Sequence, residues 1–127
     1  MNSILGTWRL VAEDAWDGSG QPRPTLFGLM PLGTITFTWA GRMMCVLADG
    51  RPDPIDGQRA FGAYGGAYTF DGTRLEIKVD GAVEPAMVGT VQIRDARFDG
   101  HRLLLRPPVG FRGAEDVTRE VTWERIA

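Results

Sequence analysis

Hydrophobic and polar positions alternate over short spans along most of this chain, the two-residue period of strands with one face in a core and the other in water. The spans that carry the alternation are Leu5 to Asp14, Thr34 to Thr38, Met43 to Ala48, Ala63 to Phe70, Arg74 to Val79, Val88 to Phe98, Arg102 to Arg106 and Val117 to Arg125. Seventeen glycines and eight prolines among 127 residues interrupt the chain before a 3.6-residue period can build. Eight strands is the number at which a closed antiparallel sheet leaves an interior just able to hold side chains or one small ligand. The expectation is therefore a single all-β domain over residues 1–127, an antiparallel eight-stranded up-and-down barrel.

The connections sort the two ends of that barrel. "WAGR", "FDGT" and "FDGH" are tight glycine-containing turns joining strands two to three, four to five and six to seven, and Asp-Gly is a strong hairpin signal. The remaining connections, near 15–33, 49–62, 80–87 and 107–116, are long or rich in Pro and Gly. Successive connections of an up-and-down barrel alternate between its ends, so parity gathers the tight turns at a plugged end and the long loops at a mouth. Trp8 in "LGTWRLV" falls at the plugged end with Trp123 and Arg125, because first and last strands become neighbours on closure. A guanidinium such as that of Arg125 can stack there on an indole face.

Hairpin register then assigns faces, since directly paired residues point to the same side of a sheet. A two-residue Asp-Gly turn pairs Phe70 with Thr73 and Tyr68 with Leu75, which sends Tyr64, Gly66, Tyr68, Leu75, Ile77 and Val79 inward. With a glycine bulge closing "WAG", Phe37 opposes Met43 and Ile35 opposes Cys45, giving an interior of Ile35, Phe37, Met43, Cys45 and Leu47. The turn at Asp99 and Gly100 pairs Ala96 with Leu103 and Arg94 with Leu105. Gln92, Arg94, Leu103 and Leu105 thus share a face, and the opposite face carries the charges Asp95, Arg97, Arg102 and Arg106. An inward Arg94 needs an acceptor, because an unpaired buried guanidinium costs several kcal/mol. Glu84, Glu120, mouth carbonyls and water can supply one, as can a ligand carboxylate or carbonyl. Arg119 shares a face with Val121 and Trp123 and is a second candidate anchor.

Composition narrows the function. A net charge of -2 with arginines scattered among acids gives no basic footprint for nucleic acid. No apolar run is long enough for a transmembrane helix, and the globular pattern begins too early for a secretory signal. Together with the single cysteine, Cys45, this leads to the expectation of a reducing, cytoplasmic setting. The single histidine, His101, sits in a turn, so His-ligated metal sites and imidazole catalysis lose their main ingredient. Neither a cofactor nor a metal is expected. Leu26, Phe27, Leu29, Met30, Val109 and Phe111 place apolar groups on the mouth loops, where they suit either a lid over a ligand or a homodimer contact.

The segments "LGTWRLV", "GTITFTWAGRM", "VEPAMVGTVQIR" and "VTWERI" together resemble the bacterial lipocalin-like domain family over nearly the whole chain. The resemblance implies a calycin-type barrel with an internal cavity. "LEIKVDGAVEP" departs from the family's pattern, with Ile77, Lys78 and Glu84 where polar uncharged groups are expected. The reading that follows is a barrel binding a small apolar or amphipathic molecule, with Arg94, Gln92, Tyr64, Tyr68, Phe37, Met43, Ile77, Leu105 and Arg119 around it. The alternative is an acid–base isomerase, cyclase or decarboxylase using Arg94 with Tyr64, Tyr68 or Glu84.

Overall fold

The computed structural model describes residues 3–54, 57–109 and 116–127. Its strands are β1 (Gly6–Trp16), β2 (Pro31–Phe37), β3 (Arg42–Asp49), β4 (Phe61–Phe70), β5 (Arg74–Ala82), β6 (Val91–Asp99), β7 (Arg102–Arg106) and β8 (Thr118–Arg125). All neighbours are antiparallel, and the strands close in chain order into one barrel through the pairing of β8 with β1. The three short hairpins lie at one end, the long loops at the other. One 3-10 turn, Pro85–Met87, interrupts the loop before β6, which delays that strand to Val91.

The Gly-x-Trp triplet builds the plugged end. Trp8 pairs across the seam with Arg125 and is 1% exposed. The Arg125 guanidinium lies 4.2 Å from the Trp8 ring centre and donates to the carbonyls of Ser3 and Leu5, while the indole N–H donates to Ile4 O at 3.0 Å. Gly6 is required by the same closure. Its φ is +122°, and a Cβ there would stand 2.4 Å from Ala127 O and 2.7 Å from an Arg125 nitrogen. Phe98 and Phe70 extend the floor, with ring centres 6.2 Å from Trp8 and 6.1 Å from each other respectively. Trp39 rides on the β2–β3 turn, exposed at this end.

The β2–β3 register is the expected one, Phe37 opposite Met43 and Ile35 opposite Cys45, with Gly41 at φ +81° in the turn. The other two hairpins turn one residue later than an Asp-Gly centre requires. Phe70 pairs with Leu75 and Tyr68 with Ile77, in place of Thr73 and Leu75. Asp71 is the cause, since its carboxylate accepts the backbone N–H groups of Thr73 and Arg74 and so occupies the residue before the turn. Likewise Phe98 pairs with Leu103 and Ala96 with Leu105, in place of Ala96 with Leu103. Both registers slip by two residues, an even number, so every inward assignment survives.

Two β-bulges do change faces. Leu10 opposes Trp123 while Ala12 opposes Thr122, which leaves Val11 as an extra residue on β1. Beyond it Glu13 and Ala15 occupy the inward positions that unbroken alternation would give to Ala12 and Asp14. A second shift between Gly65 and Gly66 inserts Asp80 on β5 and brings Ala82 opposite Tyr64.

Candidate functional site

The lower half of the barrel is solid. Phe37, Met43, Leu75, Ile77, Val79 and Leu103 are all buried in one apolar cluster with Trp8 and Leu10. Tyr68 belongs to this end, its ring edge-on to Phe37 at 5.1 Å and its hydroxyl donating to Thr38 O at 3.0 Å. Phe37, Met43, Tyr68 and Ile77 therefore pack below the cavity and are not part of its wall. The reason is height along the strands. All four point inward, but they lie near the tight turns, where closure of the sheet leaves no space.

Above this layer opens a cavity of about 480 Å³. Its wall includes Ile35, Cys45, Leu47, Tyr64, Gln92, Arg94, Leu105, Arg119, Val121 and Trp123, with Glu13, Leu26, Phe27, Glu84 and Met87 toward the mouth. Of the residues expected around a ligand, the structure thus brings together Arg94, Gln92, Tyr64, Leu105 and Arg119. Extending the β6–β7 ladder one step and the β7–β8 ladder two steps beyond their last pairs puts the Arg94 and Arg119 backbones at the same height, flanking Pro107.

Arg94 is half-buried and makes contacts within the wall. One guanidinium nitrogen donates to Ile93 O at 2.7 Å, and another lies 3.4 Å from the Gln92 side-chain oxygen. The Gln92 amide nitrogen meets the Thr90 hydroxyl at 2.9 Å. Burial pushes the Tyr64 phenol up to about 12, and Cys45 adds to the rise; charge and a hydrogen bond from Arg94 act in the opposite sense without cancelling it. Cys45 is likewise pushed up to about 12 by burial, against the pull of Arg94. At neutral pH the wall near Arg94 therefore carries a phenol and a thiol, both protonated.

Glu120, a candidate partner for Arg94, faces away from the cavity. It accepts from Arg106 at 2.7 Å and lies 3.7 Å from Arg97, and Arg106 in turn sits over the Trp16 ring. The outward face of β8 supplies this network, since Glu120 alternates with the inward Arg119 and Val121.

The mouth segment "TLFGLMPLG" divides in two. Leu26 and Phe27 form part of the cavity wall, whereas Leu29 and Met30 are exposed, as is Val109. Phe111 lies outside the described residues. What holds Leu26 and Phe27 is Glu13, whose carboxylate accepts their backbone N–H groups at 3.1 and 2.8 Å. Arg119 reaches the same loop, 3.5 Å from Pro24 O. Sequence reasoning missed Glu13, because alternation counted from Trp8 and Leu10 puts it outside. The available signal was that such counting carries the charge of Asp14 into an aliphatic barrel, a sign that the strand breaks step.

Trp123 was expected only as part of the plug. It is buried at that end of β8, yet it also forms part of the cavity wall, and its indole N–H has no hydrogen-bond partner among the described residues. Among the described residues no helix is long and apolar enough to cross a membrane. Comparison with family models matches residues 5–126 to one described as a lipocalin-like domain. No curated protein matches the chain.

Proposed function

Because this chain belongs to the lipocalin-like domain family, we propose that its barrel binds a small, mainly apolar molecule with a carboxylate or carbonyl end. The observation that carries this reading is the cavity itself. Its volume of about 480 Å³ lies within the roughly 300–1,000 Å³ usual for small-molecule sites, which combine apolar walls with a few polar groups. Here Ile35, Leu47, Leu105 and Val121 supply apolar wall, and Arg94 and Arg119 add two guanidinium side chains to it. A planar guanidinium suits a carboxylate, and the part-buried setting strengthens the pairing relative to water.

An acid–base enzyme is the weaker reading. A phenol raised to about 12 remains protonated near neutral pH, which makes Tyr64 a hydrogen-bond donor to a ligand oxygen and a poor general base. Tyr68 is committed to Thr38 at the far end of the barrel. Exposed Leu29, Met30 and Val109 at the mouth support a homodimer contact, which sedimentation would test, and the single buried cysteine is consistent with a reducing, cytoplasmic setting.

The binding test uses decanoate and decanol on the purified protein, with mass spectrometry of any ligand that co-purifies. Arg94→Leu weakens decanoate binding by about 1.5–3 kcal/mol, the value of a hydrogen bond to a charged group, and leaves decanol nearly unchanged. Equal losses for acid and alcohol would show that Arg94 only holds the wall together.

A further inference from the structure

Thr90 is not part of the cavity wall, yet it sets the orientation of two side chains that are, Gln92 and Arg94. It stands just ahead of β6 and is fixed by its own backbone, whose N–H donates to Met87 O at 3.0 Å and whose carbonyl accepts the Val79 N–H at 3.0 Å. Its hydroxyl lies 2.6 Å from the same Met87 O and 2.9 Å from the Gln92 amide nitrogen. A carbonyl oxygen only accepts, so the single hydroxyl proton goes to Met87. What the hydroxyl turns toward Gln92 is a lone pair.

That direction fixes the rest of the chain of hydrogen bonds. The Gln92 amide must present Nε2 to Thr90, which leaves its Oε1 on the other side, 3.4 Å from Arg94 Nη2. An amide is nearly symmetric in shape but not in charge. Turned over, it would set its own N–H groups against those of the guanidinium, donor facing donor. A separation of 3.4 Å does not choose between the two orientations; the Thr90 proton does. The guanidinium is thereby drawn to the wall at Gln92 Oε1 as well as at Ile93 O, 2.7 Å away.

Resting on the binding reading above, we propose that Thr90 is a positioning residue for the carboxylate anchor: by holding the Gln92 amide with its oxygen toward Arg94, it keeps the guanidinium oriented to receive the charged end of an acidic ligand. The role is one of direction rather than of contact with the ligand. Without the hydroxyl the amide loses its reason to face one way, and Arg94 alternates between an attractive and a repulsive neighbour. The loss falls on ligands that use Arg94. A neutral ligand held by Ile35, Leu47, Leu105 and Val121 does not draw on it.

The test measures decanoate and decanol binding to the wild type, Thr90→Val and Thr90→Ser by calorimetry. Thr90→Val, which keeps the branched shape and removes the hydroxyl, weakens decanoate binding about three- to tenfold, the worth of one neutral hydrogen bond, and leaves decanol unchanged. Thr90→Ser, which keeps the hydroxyl, retains the decanoate affinity. In an Arg94→Leu background Thr90→Val has no further effect on decanoate, because the group it positions is gone. In the ligand-free wild type, the Gln92 side-chain amide protons show nuclear Overhauser contacts to the Thr90 side chain, a readout independent of how any variant folds. Equal losses for decanoate and decanol, an unchanged decanoate affinity in Thr90→Val where Arg94→Leu weakens it, or amide protons turned toward Arg94 would each overturn the positioning role and leave the binding reading standing. Failure of both decanoate and decanol to bind the wild type would overturn the binding reading and the positioning role with it.

Discussion

Replacing Trp8 with Ala tests the closed end of the barrel, on which the depth of the cavity depends. The indole is 1% exposed, and it contacts Phe98 on one side and Arg125 on another. Truncating a buried Trp to Ala costs about 3–5 kcal/mol through lost transfer free energy and the void left behind. The change also orphans Ile4 O, now paired with the indole N–H, and removes the ring beneath Arg125, terms of about 1 kcal/mol each that overlap with the packing loss. The expected total is about 3–5 kcal/mol, a fifth or more of the roughly 5–15 kcal/mol that keeps a domain folded. Urea unfolding followed by far-ultraviolet circular dichroism measures it without relying on the lost fluorophore. A cycle with Arg125→Ala isolates the cation–π term, expected at roughly 0.5–1 kcal/mol because Arg125 is exposed. A total loss below about 1 kcal/mol would refute the reasoning, since no buried and fully packed indole is removed so cheaply.

Three further outcomes follow from the same geometry. Glu13→Ala deprives the Leu26 and Phe27 amides of their carboxylate acceptor, so hydrogen exchange at these two amides accelerates by about ten- to a hundredfold while β-strand amides are unaffected; unchanged exchange would remove Glu13 as the anchor of the mouth loop. Hydrogen bonds from Arg51 hold the Asp49 carboxyl down to about 2, below an ordinary Asp near 3.9. Its contribution is therefore complete above about pH 4 and is lost as pH falls through about 2, and Asp49→Asn should flatten that part of the pH–melting curve. Cys45 is buried with its thiol pushed up to about 12, so a disulfide reagent at pH 8 reacts with it orders of magnitude more slowly in the native protein than after unfolding.

Much of this arrangement was legible in local sequence. Alternation located all eight strands, although β1, β2, β4 and β5 reach two or three residues further than the pattern, because ladder pairing extends past the last clearly alternating side chain. Loop lengths separated the plugged end from the mouth and placed Trp8 beneath Arg125. Arg94 and Arg119 were assigned to the interior from pairing parity, which tolerates a register slip of two. The ligand candidates fared unevenly because parity gives the face of a residue and not its height. Tyr64 and Tyr68 share a face, yet one borders the cavity and the other is packed under it.

What the sequence determined by itself rests on interactions between residues close along the chain: a two-residue period, turns built on Gly and Asp, and a glycine ahead of a tryptophan. These are settled within a hairpin, where backbone sterics and short-range hydrogen bonds act without reference to the rest of the molecule. The tertiary structure alone decided what depends on closing the barrel. Strand β1 must keep step with both β2 and β8, and the extra residue Val11 absorbs the mismatch between those two ladders. That bulge turns Glu13 inward to hold the mouth loop. The same closure buries the Trp123 N–H without a partner among the described residues, which nothing nearby in sequence could have shown.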